Sequence, residues 1–200
     1  FHAPAPPELY TLSLHDALPI FPLRGIVVYP FTAVPLTVGQ PRSIKLVDEI
    51  MSSDRLIGLV ASKQPDLENP GPEDLYDVGT AATIHRLFRA PDGTIRLVIQ
   101  GIARFKISEF IQHEPYLKAT IEPYPEKKET TLEEEALARN VRDQFQHIAE
   151  MIPSIPAELV ASITSIQDPL QTAYTIANFQ RMELADSQNQ IGRASCRERV

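Results

Sequence analysis

Serine and lysine stand close together twice in this 200-residue sequence, as Ser43 with Lys45 and as Ser62 with Lys63. A Ser–Lys dyad works only when a desolvated amine lies beside the hydroxyl. Helix positions two apart point in different directions, and neighbouring strand positions face opposite sides, so neither pair is expected to react. His85, His113 and His147 are widely separated, without the H-x-x-x-H spacing of a metal site. Glu133, Glu134 and Glu135 sit at a helix start, where carboxylates favour the helix dipole on a solvated face. No glycine is followed by lysine, which excludes a phosphate-cradling P-loop, and G-x-S-x-G is absent. The expectation is no catalytic, no cofactor-binding and no metal-binding residue.

What remains is apolar recognition. Tyr29, Phe31 and Val34 fall in a proline-bracketed turn, YPFTAVP, while Leu87 and Phe88 approach the tip of a hairpin. Such groups either pack back on the core or present a sticky patch. These five form the candidate substrate-binding patch. A hydrophobic surface suits a module that takes many unfolded chains, because it needs no sequence-specific polar pairing.

The elements that must position this patch change character midway. Ile26–Val28 and AVPLTVG read as short strands, with Pro30 and Pro35 marking edges or turns. PRSIKLVDEIM has Ile44, Val47, Ile50 and Met51 at helical spacing, and Pro41 suits the helix start. RLIGLVAS reads as a strand buried on both faces. Val78–Arg89 and Thr94–Gln100 flank the turn Ala90-Pro91-Asp92-Gly93, a hairpin. Gly101 is expected to bend or bulge the backbone before strands at Ala103–Ile107 and Tyr116–Ile121. The charged, proline-rich stretch Glu122–Glu129 is a boundary. Helices are expected from Thr131 to near Pro153, from Pro156 to about Ile166, and from Asp168-Pro169 toward Leu184.

The two ends read differently. IGRASCRERV at residues 191–200 and YTLSLHDALPI at residues 10–20 resemble translations of the two strands of a common sequencing adapter. His2–Leu9 fits that adapter's upstream part. Residues 1–20 and 191–200 are therefore read as adapter-derived artefact, to within a few residues. Setting them aside removes Cys196, His2, His15, three acidic and three basic residues, so the net charge stays at −7. The organisation is then a β-rich lobe at 21–124 and a linker with the start of a helical subdomain at 125–190. An acidic balance argues against nucleic acid as the main partner. No apolar run approaches the ~20 residues that span a bilayer. Lack of cysteine in 21–190 fits a reducing, cytoplasmic setting.

PLRGIVVYPFTAVPLTVGQPRSI resembles the opening of the N-terminal domain of Lon, the ATP-dependent serine protease. DLYDVGTAATIHRLFRAPDGTIRLVIQGIARFKI resembles that domain's central hairpin and next strand, and IQDP at 166–169 is similar to the start of its helical subdomain. The resemblance implies an α+β chain: a small β-rich pseudo-barrel lobe of PUA-like fold with one inserted helix, then about three helices. It also implies capture of unfolded or damaged proteins for degradation, within a homo-hexamer whose ATP, Mg and Ser–Lys chemistry reside in later domains. Two readings stay open. The chain is a substrate-binding domain truncated from such a protease, or a stand-alone binding protein of the same domain type without ATPase. A rival from another class is a small enzyme scaffolded by the β lobe, which would need polar side chains converging in a pocket. The chain on its own is expected to form little stable oligomer.

Overall fold

Period-two and period-3.6 patterning divide the computed structural model as the sequence suggests, and its described residues are 17–125, 131–152, 155–180 and 182–193. The strands are β1 (Ala17–Leu23), β2 (Ala33–Val38), β3 (Leu56–Ala61), β4 (Val78–Arg89), β5 (Ile95–Gln112) and β6 (Leu117–Pro123). Helix α1 (Pro41–Ile50) lies between β2 and β3. Helices α2 (Leu132–Met151), α3 (Ala157–Thr164), α4 (Pro169–Phe179) and α5 (Leu184–Gly192) follow. Residues 1–16, 126–130, 153–154 and 194–200, which include much of the charged linker, Pro153 and Cys196, lie outside the described residues.

The sheet order is β2-β5-β4-β3-β1-β6, and β6 also pairs with β5. Five strands therefore close on themselves, and β2 continues the sheet beyond the closure. Closure is possible because β5 is long enough to serve two partners. Its first part pairs with β2 and its last part, from Phe105, with β6, while β4 follows it along the other edge from Ile95 to Lys106. Separate strands were expected on either side of Gly101; instead the chain stays extended through it. The register steps from Ala82↔Gly101 to Ala81↔Ala103, which leaves Ile102 as the extra residue of a bulge.

Ile26–Val28 is not a strand. Gly25 turns the chain at φ 72°, and the Val28 carbonyl accepts the Thr80 hydroxyl at 2.6 Å, a side-chain bond in place of a ladder. The first strand lies earlier, at Ala17–Leu23, so it begins inside the stretch set aside as flank. It runs parallel to β3 and antiparallel to β6, and Leu18 and Ile20 are buried at 4% and 0% exposure.

Apolar burial divides into three clusters. One lies under α1, where Leu46, Val47 and Ile50 meet Phe21, Leu23, Ile57 and Leu97. A second fills the closed end around Ile20, Val60, Phe105 and Leu117. The third joins the lobe to the helices through Tyr29, Tyr174 and Ile191.

Helix α2 starts where two orphan donors are satisfied reciprocally. The Glu134 amide donates to the Thr131 hydroxyl at 3.2 Å, and the Thr131 amide donates to the Glu134 carboxylate at 3.0 Å. The Asp168 carboxylate caps α4 by accepting the Gln171 amide at 2.7 Å. About three helices were expected here, but α4 ends at Phe179, where Gln180 turns extended, and a fourth helix restarts after Glu183. α5 leaves the bundle for the β lobe. The Gln188 amide donates to the Val78 carbonyl at 2.8 Å, and the buried Arg104 guanidinium donates to the carbonyls of Ile191 (2.7 Å) and Arg193 (2.6 Å). A cation at the last carbonyls of a helix complements both its unpaired acceptors and its dipole.

Candidate binding surface

The five apolar residues singled out in the sequence do not form one patch, because strand alternation and the helical subdomain separate them. Tyr29 is 2% exposed; its ring stacks on Tyr174 at 5.6 Å, and its hydroxyl donates to the Ser187 carbonyl at 3.2 Å. Burial pushes the Tyr29 phenol above the ordinary tyrosine range, against the opposing effect of the Ser187 bond. Tyr29 thus belongs to the junction between lobe and helices and offers nothing to an incoming chain.

Phe31 is the next residue but one, yet it is 42% exposed. Its backbone sits in the left-handed region at φ 64°, held by its amide's bond to the Gly101 carbonyl at 2.9 Å. The ring lies 6.4 Å from that of Tyr174 and covers the edge of the junction.

Val34 and Leu87 face inward. The register places Val34 with Ile99 and Ile84, and Leu36 with Leu97 and Leu87, all on the core side. Both Val34 and Leu87 are partly buried against the cluster under α1. Phe88 points the other way, because successive strand residues alternate faces. It stands 58% exposed on the outer face, in one row with Arg96 and Thr37; the next row is Arg86, Val98 and Pro35. The outer face of β2, β5 and β4 therefore combines an aromatic ring, two apolar neighbours and two arginines. Phe31, bonded to Gly101, and Phe88, opposite Arg96, stand near opposite ends of β2, about 16 Å apart along β5 at ~3.3 Å per residue.

The reactive-looking residues are held in structural roles. The Ser62 hydroxyl donates to the Gln64 carbonyl at 2.9 Å, while the Lys63 ammonium donates to the Glu73 carbonyl at 3.0 Å, so their polar ends are engaged separately. Among the described residues, no three of His, Cys, Asp and Glu gather as a metal site. One polar cluster did escape the sequence reading. The Lys118 ammonium donates to the Glu49 carboxylate at 3.3 Å and lies 5.2 Å over the Tyr116 ring. Hydrogen bonds from Tyr116 and then Lys118 hold the Glu49 carboxyl below the usual carboxylate range. Burial, reinforced by Glu49, raises the Tyr116 phenol. Tying α1 to β6, this cluster was illegible from sequence because its members are nearly 70 positions apart. No described helix is long and apolar enough to cross a membrane.

The family model described as the ATP-dependent protease La (LON) substrate-binding domain matches residues 17–200. The chain belongs to this family. Among its relatives, Lon protease 1 of Herpetosiphon aurantiacus is 40% identical over 195 residues, covering 95% of this chain and 24% of that protein. Lon protease of Dictyoglomus thermophilum is 40% identical over 190 residues, with the same two coverages. The chain therefore spans about a quarter of the length of these Lon relatives. The fold is similar to the solved N-terminal domain of Mycobacterium avium complex Lon protease, with TM-score 0.73 and 20% identity over 92% of this chain and 94% of that one. A Lon N-terminal domain protein from Xanthomonas campestris matches at TM-score 0.51 and 20% identity, over 82% of this chain and 99% of that one.

Proposed function

We propose that this chain is the substrate-recognition part of a cytoplasmic ATP-dependent serine protease and that it binds unfolded or damaged proteins through exposed apolar side chains. In that role it works within a homo-hexamer whose ATP, Mg and peptide-bond chemistry are supplied outside this chain. Membership in the Lon substrate-binding family over residues 17–200 is the observation that carries the reading. The outer face of β2, β5 and β4 gives it a physical means. Phe88, Val98 and Pro35 offer apolar area without a fixed polar pattern, which suits partners that share only exposed hydrophobic groups. Phe31 adds a second aromatic contact at the far end of β2, and Leu87 and Val34 support the sheet from beneath.

The test is binding of reduced, iodoacetamide-blocked lactalbumin, measured by fluorescence anisotropy beside the native form of the same protein. The unfolded form is expected to bind and the native form not. Phe88→Ser is expected to weaken binding about 5- to 30-fold, the usual range for truncating a well-placed aromatic anchor. Equal binding of native and unfolded lactalbumin, or of neither, would refute the proposal.

A further inference from the structure

A cleft of about 420 Å³ opens on the other side of β2 from β5, between that strand and the second half of β1. Its reachable apolar walls are Pro22, Ile26, Pro35, Leu36 and Pro65, with Phe21, Leu23 and Val38 buried behind them and Gln40 and Ser43 adding polar groups. It exists because two strand edges end there without meeting. β6 pairs with β1 only as far as Ile20, and β2 is the terminal strand of the sheet order.

Proline accounts for why the edges stay apart. Pro35 lies within the β2–β5 ladder opposite Val98 and has no amide to donate, so its backbone faces away from β5, toward the cleft. In β1 the Leu23 carbonyl accepts the Ser62 amide on the β3 side, so the alternating position, Pro22, also faces the cleft. Each edge thus shows a carbonyl where a donor is missing, and the two cannot zip together. An entering chain with amides of its own meets acceptors, and the Thr37 amide, two residues from Pro35 and on the same side, offers a donor.

Charge narrows the occupant. The chain carries net −7, yet among the described residues Arg24 is the single charged one that lines this cleft, with no carboxylate beside it. Arg24 and Ile26 are both exposed at the rim. Among the described residues Arg24 has no ion-pair partner.

We propose that this cleft seats an extended apolar segment of an unfolded chain that carries an aspartate or glutamate side chain, with the apolar groups between β1 and β2 and the carboxylate at Arg24. The assignment rests on the substrate-binding reading and adds to it a second seat, on the opposite edge of β2 from the Phe88 face.

The test uses the whole chain and fluorescent ten-residue peptides, blocked at both termini, with four leucines and a single variable residue: Glu, Gln or Lys. The Glu peptide is expected to bind about threefold tighter than the Gln peptide and about tenfold tighter than the Lys peptide, the scale of an exposed ion pair gained or reversed. Arg24→Glu should invert that order, and Ile26→Ser, which adds no charge, should weaken all three peptides at least threefold. A Glu peptide with a photoreactive leucine should crosslink to residues 21–26 or 38–43, outside the rows of the Phe88 face. Because both variants alter exposed positions, unchanged thermal unfolding is the accompanying control, and the crosslink needs no variant at all. Binding of unfolded lactalbumin with crosslinks confined to the Phe88 face would overturn the cleft and leave the substrate-binding reading standing. Preference for a free C-terminal carboxylate over the internal Glu would also overturn it. Absence of lactalbumin binding would remove both.

Discussion

Replacing Gly101 by alanine should be among the most damaging small changes in the chain, although it adds a single methyl group. A Cβ at this position would lie 2.2 Å from the Tyr29 carbonyl oxygen, 3.0 Å from its carbon and 3.1 Å from Thr80 Cγ2. The first two are backbone atoms and cannot swing aside. Gly101 also donates to the Thr32 carbonyl and accepts from the Phe31 amide, both at 2.9 Å, so moving it away breaks the bonds that hold the loop. Two backbone hydrogen bonds at about 1 kcal/mol each, with the Tyr29–Tyr174 stack at about 1 kcal/mol more, give a loss of about 3 kcal/mol. Gly39→Ala is the matched control. Its Cβ would meet Thr94 Cγ2 at an ordinary 3.6 Å, and such a change alters stability by less than about 1 kcal/mol. Urea unfolding followed by circular dichroism measures both. Hydrogen exchange in the Gly101 variant should also rise across residues 29–32 and in α4 and α5. If Gly101→Ala were no worse than Gly39→Ala, the close packing of this loop would not be what anchors the helices to the lobe.

Arg104→Met should release the end of α5 at a cost of about 2–4 kcal/mol, since it removes two charged hydrogen bonds to helix carbonyls, and amide exchange over residues 184–192 would report it. Thr131→Ala, by removing the capping box, should cost about 1 kcal/mol and fray the first turn of α2, visible as lost helical ellipticity. The Glu49 carboxyl is held below its ordinary range, so its contribution is present above about pH 4.3 and lost as pH falls through the lowered value. Glu49→Gln should flatten that acid limb in a pH series of melting temperatures. Tyr29 and Tyr116 are raised instead, so their contribution is complete below about pH 10 and lost as pH rises through the raised values. Tyr29→Phe should make the alkaline limb shallower, while an unchanged limb would contradict the burial argument.

The fold was largely legible where local chemistry decides it. Pro41, the Thr131 cap, the Asp168-Pro169 start and the Ala90–Gly93 turn each mark an element end by a side chain acting on its own backbone. What escaped was set by distant partners. Ile26–Val28 has a strand's composition but spends its acceptor on Thr80, 52 positions away. β5 runs through Gly101 because β4 pairs with it on both sides of the bulge. The candidate patch suffered in the same manner. Tyr29 and Phe31 share one loop, but only the fold says that α4 covers the first and leaves the second half open. Leu87 and Phe88, neighbours in the chain, are divided by alternation between inside and outside.

The pairing of β1 with β6 has a consequence in time. Ala17 meets Thr120, so the ring cannot close until more than a hundred later residues exist. At a synthesis rate of about 5–20 residues per second, that is a wait of roughly 5–20 s. Through this interval Phe21 and Leu23 have α1 and β3 to lean on and Leu18 and Ile20 little beyond β3, which itself arrives some forty residues after β1. A module proposed to bind unclosed hydrophobic chains thus passes through such a state itself before its ring closes.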